Sequence, residues 1–365
     1  MTKKTKVFIA SGGTGGHVLP GSNLAKHFSE KNYHIELITD KRGYKYLGDS
    51  KDLKIKVLPS FKLITKNILT IFISVFLVIY SVLRSLVFLI LNRPSIMIGM
   101  GGYASFPICI AASMLRIKLL IYENNLIIGK ANSYLAPFSK KILVSNKNLE
   151  GILEKYYDKV LPIGNILNKE IINFANLNED AINLKKISLI ILGGSQAAKV
   201  FAEILPEIFK KCSEEGINLK IYQQCLPSQN ENLKLFYNNN NIECELFNFS
   251  NKIINYFSKV NLAITRSGSS ILAELTNVNV PFISVPLPSS AENHQLKNAI
   301  FYKKKNLSLL IEEKDLKEKL IHVMRKIYKD NSILNKIKKN QKQYSDKNVY
   351  NNIDKIFNEI INEKN

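Results

Sequence analysis

KVFIASGGTGGHVLPG, residues Lys6 to Gly21, decides how the rest of this chain is read. Val7-Phe8-Ile9-Ala10 is the short apolar run that a buried parallel strand needs. Gly12-Gly13-Thr14-Gly15-Gly16 breaks it, and His17 stands at the mouth of a helix expected over Pro20–Lys31. Glycines turn backbone N–H groups inward with no side chain in the way. A helix start adds partial positive charge. Strand, glycine loop and helix together make an anion cradle. The spacing is neither G-x-G-x-x-G nor a P-loop, so neither a dinucleotide nor ATP is its first reading. The histidine sets the loop apart. A residue type that titrates near neutrality lies beside a phosphate- or sugar-sized hole.

The chain has 365 residues, too many for one ordinary core, and fits two domains. Its formal charge of +21 comes mostly from lysine and points to an anionic partner: a nucleotide, a nucleic acid or an acidic membrane surface. Nucleic acid is the weakest of these, because the lysines are scattered and no basic-aromatic interleaving is present. Cys109, Cys212, Cys225 and Cys244 form no CxxC and sit in or near apolar runs. They read as buried free thiols in a reducing cytosol, with no zinc site. The N-terminus runs straight into a strand, so no signal peptide is expected.

Residues 1–60 read as strand, helix, strand (His34–Thr39), charged loop and strand (Ile55–Leu58). His27 and His34 read as surface or strand-end residues. Ile68–Leu91, ILTIFISVFLVIYSVLRSLVFLIL, is long enough to cross a bilayer. A crossing is rejected on topology: the strands before and after it read as one parallel sheet, and a single span would separate them. Arg84 inside the run also argues against it. Thr70, Ser74, Ser81 and Ser85 form a narrow polar stripe, and one face can pack on the sheet. More apolar surface remains than a soluble domain normally exposes. With Lys62, Lys66 and Arg93 flanking it, residues 62–93 read as a monotopic element pressed against an anionic membrane.

IMIGMGGYASFP, residues 96–107, repeats the theme: a strand, glycines at Gly99, Gly101 and Gly102, then Tyr103, Ser105 and Pro107 opening a helix. Strand Leu119–Tyr122 delivers Glu123-Asn124-Asn125 to the same sheet edge, where ligands bind in open α/β sheets. KISLIILGGSQAAKV, residues 186–200, starts a second half in the same way. Two halves that each begin strand–Gly-Gly–helix predict two Rossmann-like domains facing across a cleft. In the second, Leu262–Thr265 runs into Arg266-Ser267-Gly268-Ser269-Ser270, which opens a helix carrying Glu274. Backbone donors at such a start suit a diphosphate, and a carboxylate about one turn in accepts two hydroxyls, as from a ribose. Pro281–Val285 reads as the final strand. It leads to Glu292-Asn293-His294-Gln295. The expected domains are 1–163, 164–345, and a terminal helix within 346–365 packing back on the first.

In this order the segments resemble the MurG family of bacterial glycosyltransferases, from about Val7 to Ala299. The carrying motifs are GGTGGH (Gly12–His17), GMGGY (Gly99–Tyr103), ENN (Glu123–Asn125), GN (Gly164-Asn165), GGSQ (Gly193–Gln196), RSG (Arg266–Gly268) with Glu274, and Gln295. Each is weak alone; the ordered set, with an apolar basic-flanked helix between the first two, is specific. The resemblance implies a GT-B fold, UDP-N-acetylglucosamine as donor, and inverting transfer to undecaprenyl-linked muramyl pentapeptide (lipid I to lipid II). It implies that Ser195, Arg266, Ser269, Ser270 and Glu274 hold phosphate and ribose. The Phe249–Ser250 turn meets uracil, and Asn125 and Gln295 hold sugar hydroxyls. Thr14, Gly15 and Gly16 face the donor sugar and acceptor diphosphate, the latter also meeting Gly13, Gly101, Gly102 and Tyr103. It also implies a peripheral place on the cytoplasmic face of the inner membrane, with cell-wall or division machinery as partners.

Some positions depart from the family. Gly-Asn-Pro-Val-Arg is here Gly164-Asn165-Ile166-Leu167-Asn168, so an arginine is missing and Lys169 is the nearest substitute. His-Glu-Gln-Asn reads Tyr122-Glu123-Asn124-Asn125, and GGSQGA reads GGSQAA. His17 is the best-placed titratable group to serve as base. No cofactor is required and no metal site is expected; no Asp-x-Asp pair is present, and stimulation by a divalent cation is left open. The rival readings are a UDP-sugar epimerase, a GT-B transferase with another lipid acceptor, a non-catalytic nucleotide-binding protein at the membrane, and an integral membrane protein.

Overall fold

The computed structural model describes residues 5–48, 52–62, 67–174, 186–248, 253–344 and 346–363, with backbone only at 194–198. The chain forms two α/β units, 1–168 with 346–365, and 169–345.

The first unit holds seven parallel strands: β1 (Lys6–Ala10), β2 (His34–Thr39), β3 (Ile55–Val57), β4 (Ile96–Gly99), β5 (Lys118–Glu123), β6 (Lys141–Val144) and β7 (Val160–Pro162). Their order is β3-β2-β1-β4-β5-β6-β7. The winding reverses at β1, which pairs with β2 on one side and β4 on the other, Ala10 level with Gly99. Loops leaving β1 and β4 diverge there, which is where open α/β sheets hold ligands. The helices are α1 (Gly15–Glu30), α2 (Lys41–Tyr44), α3 (Ile68–Leu91), α4 (Phe106–Met114) and α5 (Lys130–Leu135), before a last helix, Val349–Asn362.

α1 begins at Gly15, not near Pro20. Proline at an N-terminus is a helix-start signal, but here Pro20 lies inside the helix. It costs one ladder bond, the one its missing N–H would give to the Gly16 carbonyl. The early start puts His17 in the first turn of α1 rather than on a loop ahead of it.

α3 is the one described helix long and apolar enough to cross a membrane. Strands before and after it belong to one sheet, and its C-terminal end is built into the core. Leu89 is buried and Phe88 stacks on Phe8 of β1, ring centres 5.6 Å apart. It also packs along α4. The buried face is the polar stripe: Ser74, Ser81, Ser85 and Leu89. The serines satisfy themselves by donating back to carbonyls one turn earlier, Ser81 to Leu77 at 2.8 Å and Ser85 to Ser81 at 2.7 Å. Small side chains let two helices approach closely. The large apolar side chains point the other way and are exposed, among them Ile68, Phe72, Phe76, Ile79, Leu83, Val87 and Ile90.

His27 is not a surface residue. It is 4% exposed, because the last helix covers it. Its Nε2 donates to Asp354 at 2.8 Å, and Lys31 Nζ reaches the other Asp354 oxygen at 3.0 Å. Around this pair Phe357 packs on Phe28 and Tyr350 on the His27 ring, with centres 4.4 Å apart in both cases. Asp354→Ala should lower stability by about 1–3 kcal/mol, since it strands a buried donor; denaturant unfolding measures this directly. Gly164–Asn168 belong with the first unit. Asp346 accepts from Asn165 N at 2.9 Å and Nδ2 at 3.0 Å, and the Tyr350 hydroxyl donates to the Leu167 carbonyl at 2.6 Å. The chain therefore passes to the second unit at residue 169, later than the sequence suggested.

The second unit has six parallel strands: β8 (Ile187–Leu192), β9 (Leu219–Gln224), β10 (Glu243–Phe247), β11 (Leu262–Thr265), β12 (Phe282–Ser284) and β13 (Leu309–Leu310), in the order β10-β9-β8-β11-β12-β13. The winding reverses between β8 and β11. β13 extends the sheet past the strand read as final; two residues carry no alternation to recognise. Cys109, Cys212 and Cys225 are buried, Cys244 is half-buried, and all four are free thiols.

Candidate active site

In the first unit, the loops after β1 and β4 close on each other around His17. Gly13, Gly101 and Gly102 adopt φ of +82°, +85° and +76°, the left-handed region that glycine enters without cost. The imidazole packs against the second loop. A Cβ on Gly101 would sit 3.2 Å from the His17 ring, and one on Gly102 3.0 Å. His17 Nδ1 is 3.0 Å from the Met100 carbonyl. A carbonyl only accepts, so Nδ1 carries the proton and Nε2 of the neutral ring is the basic nitrogen. Thr14 is exposed at the N-cap of α1, and Gly15 and Gly16 are its first two residues. Their N–H groups have no intrahelical acceptor. Ser105 braces the second loop, donating to the Gly101 carbonyl at 3.0 Å.

β5 ends at Glu123, a buried carboxylate that accepts from Asn125 N at 3.0 Å, Asn125 Nδ2 at 3.1 Å, Gly129 N at 2.9 Å and Asn132 Nδ2 at 2.9 Å. Asn125 is thereby held at the sheet edge by a carboxylate that the motif supplies two residues earlier. Sequence reasoning missed Asn132, whose amide also donates to the Tyr122 carbonyl at 2.9 Å. It missed Asp40 as well. That side chain sits at the end of β2 and accepts from Gly13 N at 2.9 Å. An Asp at a strand end three residues before Gly43 is an N-cap signal that could have singled it out.

In the second unit, β11 runs through Arg266 to Gly268, the N-cap of the Ser269–Asn277 helix. Ser269 and Ser270 are therefore the first two helical residues, and their N–H groups point out of the helix start. Glu274 lies about one turn further on and is half-buried. Desolvation pushes its carboxyl up to about 7, and among the described residues no hydrogen bond or ion pair offsets that cost. Gln295 Oε1 accepts from Ser267 N at 3.2 Å and Leu287 N at 3.0 Å, pinning two loops and leaving its amide nitrogen to donate elsewhere. Glu292 and Asn293, just before it, both have φ near +54°. Two consecutive left-handed non-glycine residues hold strain of the kind found at functional sites.

Arg266 is turned inward. It is 5% exposed, pairs with Glu313, donates to the Val285 carbonyl at 3.2 Å, and lies 4.7 Å over the Phe201 ring. Among the described residues only its Nε is left without a partner. Gly193 caps the Gly194–Glu214 helix, but the Ser195 side chain lies outside the described residues, as do Phe249 and Ser250. Asn168 is exposed at the end of the first unit, next to Lys169.

Two Rossmann-like units, each with a glycine turn at its switch point, make up the GT-B fold. The model of the glycosyltransferase family 28 N-terminal domain matches residues 7–144, and that of the family 28 C-terminal domain matches residues 188–353. The chain belongs to glycosyltransferase family 28. It is 36% identical over 361 residues, 98% of this chain and 99% of the relative, to the UDP-N-acetylglucosamine–N-acetylmuramyl-(pentapeptide) pyrophosphoryl-undecaprenol N-acetylglucosamine transferase of Pelagibacter ubique. Among solved structures it is similar to MurG of Acinetobacter baumannii, with a TM-score of 0.76 at 19% identity over 97% of this chain and 99% of that one. It is also similar in fold to a putative UDP-N-acetylglucosamine 2-epimerase from Listeria monocytogenes, with a TM-score of 0.66 at 15% identity over 100% and 98%. The fold alone thus does not separate transfer from epimerisation.

Proposed function

We propose that this protein transfers N-acetylglucosamine from UDP-N-acetylglucosamine to the 4-hydroxyl of undecaprenyl-diphospho-N-acetylmuramoyl-pentapeptide, turning lipid I into lipid II in peptidoglycan synthesis. The observation that carries the reading is the end-to-end likeness to a transferase of that name. The reading carries a mechanism. His17 Nε2 takes the proton of the attacking hydroxyl while Nδ1 stays bonded to Met100. The bond from the anomeric carbon to UDP breaks as the new glycosidic bond forms on the opposite face, so configuration inverts. Charge left on UDP is met by N–H groups at the start of the Ser269–Asn277 helix, with Ser195 as a further donor. Gln295 and Asn125 hold sugar hydroxyls, and Ser250 meets uracil. The exposed face of α3 seats the enzyme on the cytoplasmic leaflet, where the acceptor's lipid resides.

The test is transfer of labelled N-acetylglucosamine from UDP to a lipid I analogue. A β-linked disaccharide product is expected. Isomerised UDP-sugar formed without acceptor would overturn the reading in favour of epimerisation.

Glu274 gives this reading a pH signature. Ribose hydroxyls donating to a carboxylate favour its charged form. Desolvation holds the carboxyl near 7. UDP should therefore bind more tightly as pH rises through 7 and the site ionises. In Glu274→Gln the affinity should be weaker and should lack the part of this rise centred near pH 7, as titration calorimetry would record. Stability follows the opposite sign. The folded carboxyl binds its proton above the unfolded value of 4.5, so the stabilisation is full below about 4.5 and is lost as pH rises through about 7.

A further inference from the structure

The turn after β2 has no part in the reaction as proposed, yet both glycine loops depend on it. Asp40 is 5% exposed. Its Oδ1 accepts from Gly13 N at 2.9 Å and Gly43 N at 2.8 Å, and its Oδ2 accepts from the Tyr103 hydroxyl at 3.1 Å. Gly13 belongs to the loop after β1, and Tyr103 closes the loop after β4. The packing around the carboxylate leaves no room for side chains: a Cβ on Gly12 would meet Oδ1 at 2.7 Å, and one on Gly43 at 2.9 Å. Burial and the Asp40 charge raise the Tyr103 phenol above its usual value, with Arg42 pulling the other way. The hydroxyl keeps its proton, donates a hydrogen bond to Asp40, and accepts one from Arg42 Nη1 at 3.2 Å. The guanidinium sits 5.9 Å over the Tyr103 ring centre.

Arg42 is thus fixed by the loops at one end and exposed at the other. A guanidinium has five N–H donors; among the described residues only one of Arg42's is used. The first unit has three other arginines, Arg84, Arg93 and Arg116. None of these is bonded to a glycine-loop residue among the described ones. A planar fork of charged donors meets phosphate oxygens in pairs and adds a full charge to what backbone donors supply.

We propose that Arg42, held by Tyr103 and Asp40, is the cation that takes the diphosphate of the acceptor at the two glycine loops. The inference rests on the transferase reading for the identity of that diphosphate. Its test does not need turnover. Binding of farnesyl diphosphate and farnesyl monophosphate is measured by calorimetry on the full chain, wild type beside Arg42→Ala, Arg42→Lys and Tyr103→Phe. Wild type should prefer the diphosphate. Arg42→Ala should weaken diphosphate binding by about 10- to 100-fold, with little change for the monophosphate or for UDP. Lysine should restore only part of the loss, since it lacks the fork, and Tyr103→Phe should fall between. In transfer assays the KM for the lipid I analogue should rise with kcat nearly kept. Diphosphate binding that is absent in wild type, or unchanged in Arg42→Ala, overturns the proposal whatever the transfer assay shows. Arg42-dependent diphosphate binding without any transfer sinks the transferase reading and leaves this site standing.

Discussion

His17→Ala should lower kcat for transfer to a lipid I analogue by about 100- to 10,000-fold, the span expected for loss of a positioned general base. UDP affinity, read by calorimetry, should stay within about twofold of wild type, because the groups proposed to hold UDP are carried by the second unit while His17 is carried by the first. The size of the effect follows from how the ring is held. Met100 fixes the proton on Nδ1, and the ring packs closely against Gly101 and Gly102. A nitrogen oriented this firmly has little reorganisation to do when it takes a proton. His17→Gln keeps a polar side chain but cannot accept a proton near pH 7, and should be about as slow. If His17→Ala turns over at near-normal rates, the base is another group and His17 is a loop-binding residue. The family membership would stand unchanged.

What could be read in advance was local. Both glycine loops, the paired strand–Gly-Gly–helix starts and the 68–91 helix announce themselves in runs of a dozen residues or so. The rest depends on partners far away in sequence. Asp40 looked like part of a charged loop because its bonds go to residues 27 and 63 positions distant. His27 looked like a surface histidine because the helix that buries it arrives 327 residues later. Arg266 looked free to meet phosphate because Glu313, which turns it inward, lies 47 residues on. The misplaced start of α1 has a different cause. Gly15 and Gly16 are poor helix formers and Pro20 is a helix-start signal, so local propensity favours the later start. The tertiary setting of the loop, with Gly13 bonded to Asp40, favours the earlier one.

The outward face of α3 carries the other large effect. Replacing Phe72, Phe76 and Leu83 together with Glu should abolish binding to vesicles rich in anionic lipid, as read by co-sedimentation. These side chains are 69%, 70% and 56% exposed, so the protein itself loses few contacts and unfolding should be nearly unchanged. In the membrane each would bury its apolar surface for about 1.5–3 kcal/mol. Losing three costs about 5–9 kcal/mol, enough to reduce partitioning more than about 1,000-fold, before any repulsion between glutamate and anionic headgroups is counted. The flanking Lys62 and Arg93 contribute less, about 1 kcal/mol each at low salt, so raising ionic strength should weaken wild-type binding far less than the triple change does. The buried serines make this face one-sided. With their hydroxyls spent on the helix's own carbonyls, α3 can pack its narrow small-residue side inward and leave most of its large side chains outward, the reverse of a helix in a water-soluble core. Transfer to a bilayer-embedded acceptor should fall with vesicle binding in the triple variant, while transfer to a short-chain soluble analogue should persist. A triple variant that still sediments with vesicles like wild type would end the membrane reading. If the particle mass in solution dropped instead, the face would belong to a second copy of the chain.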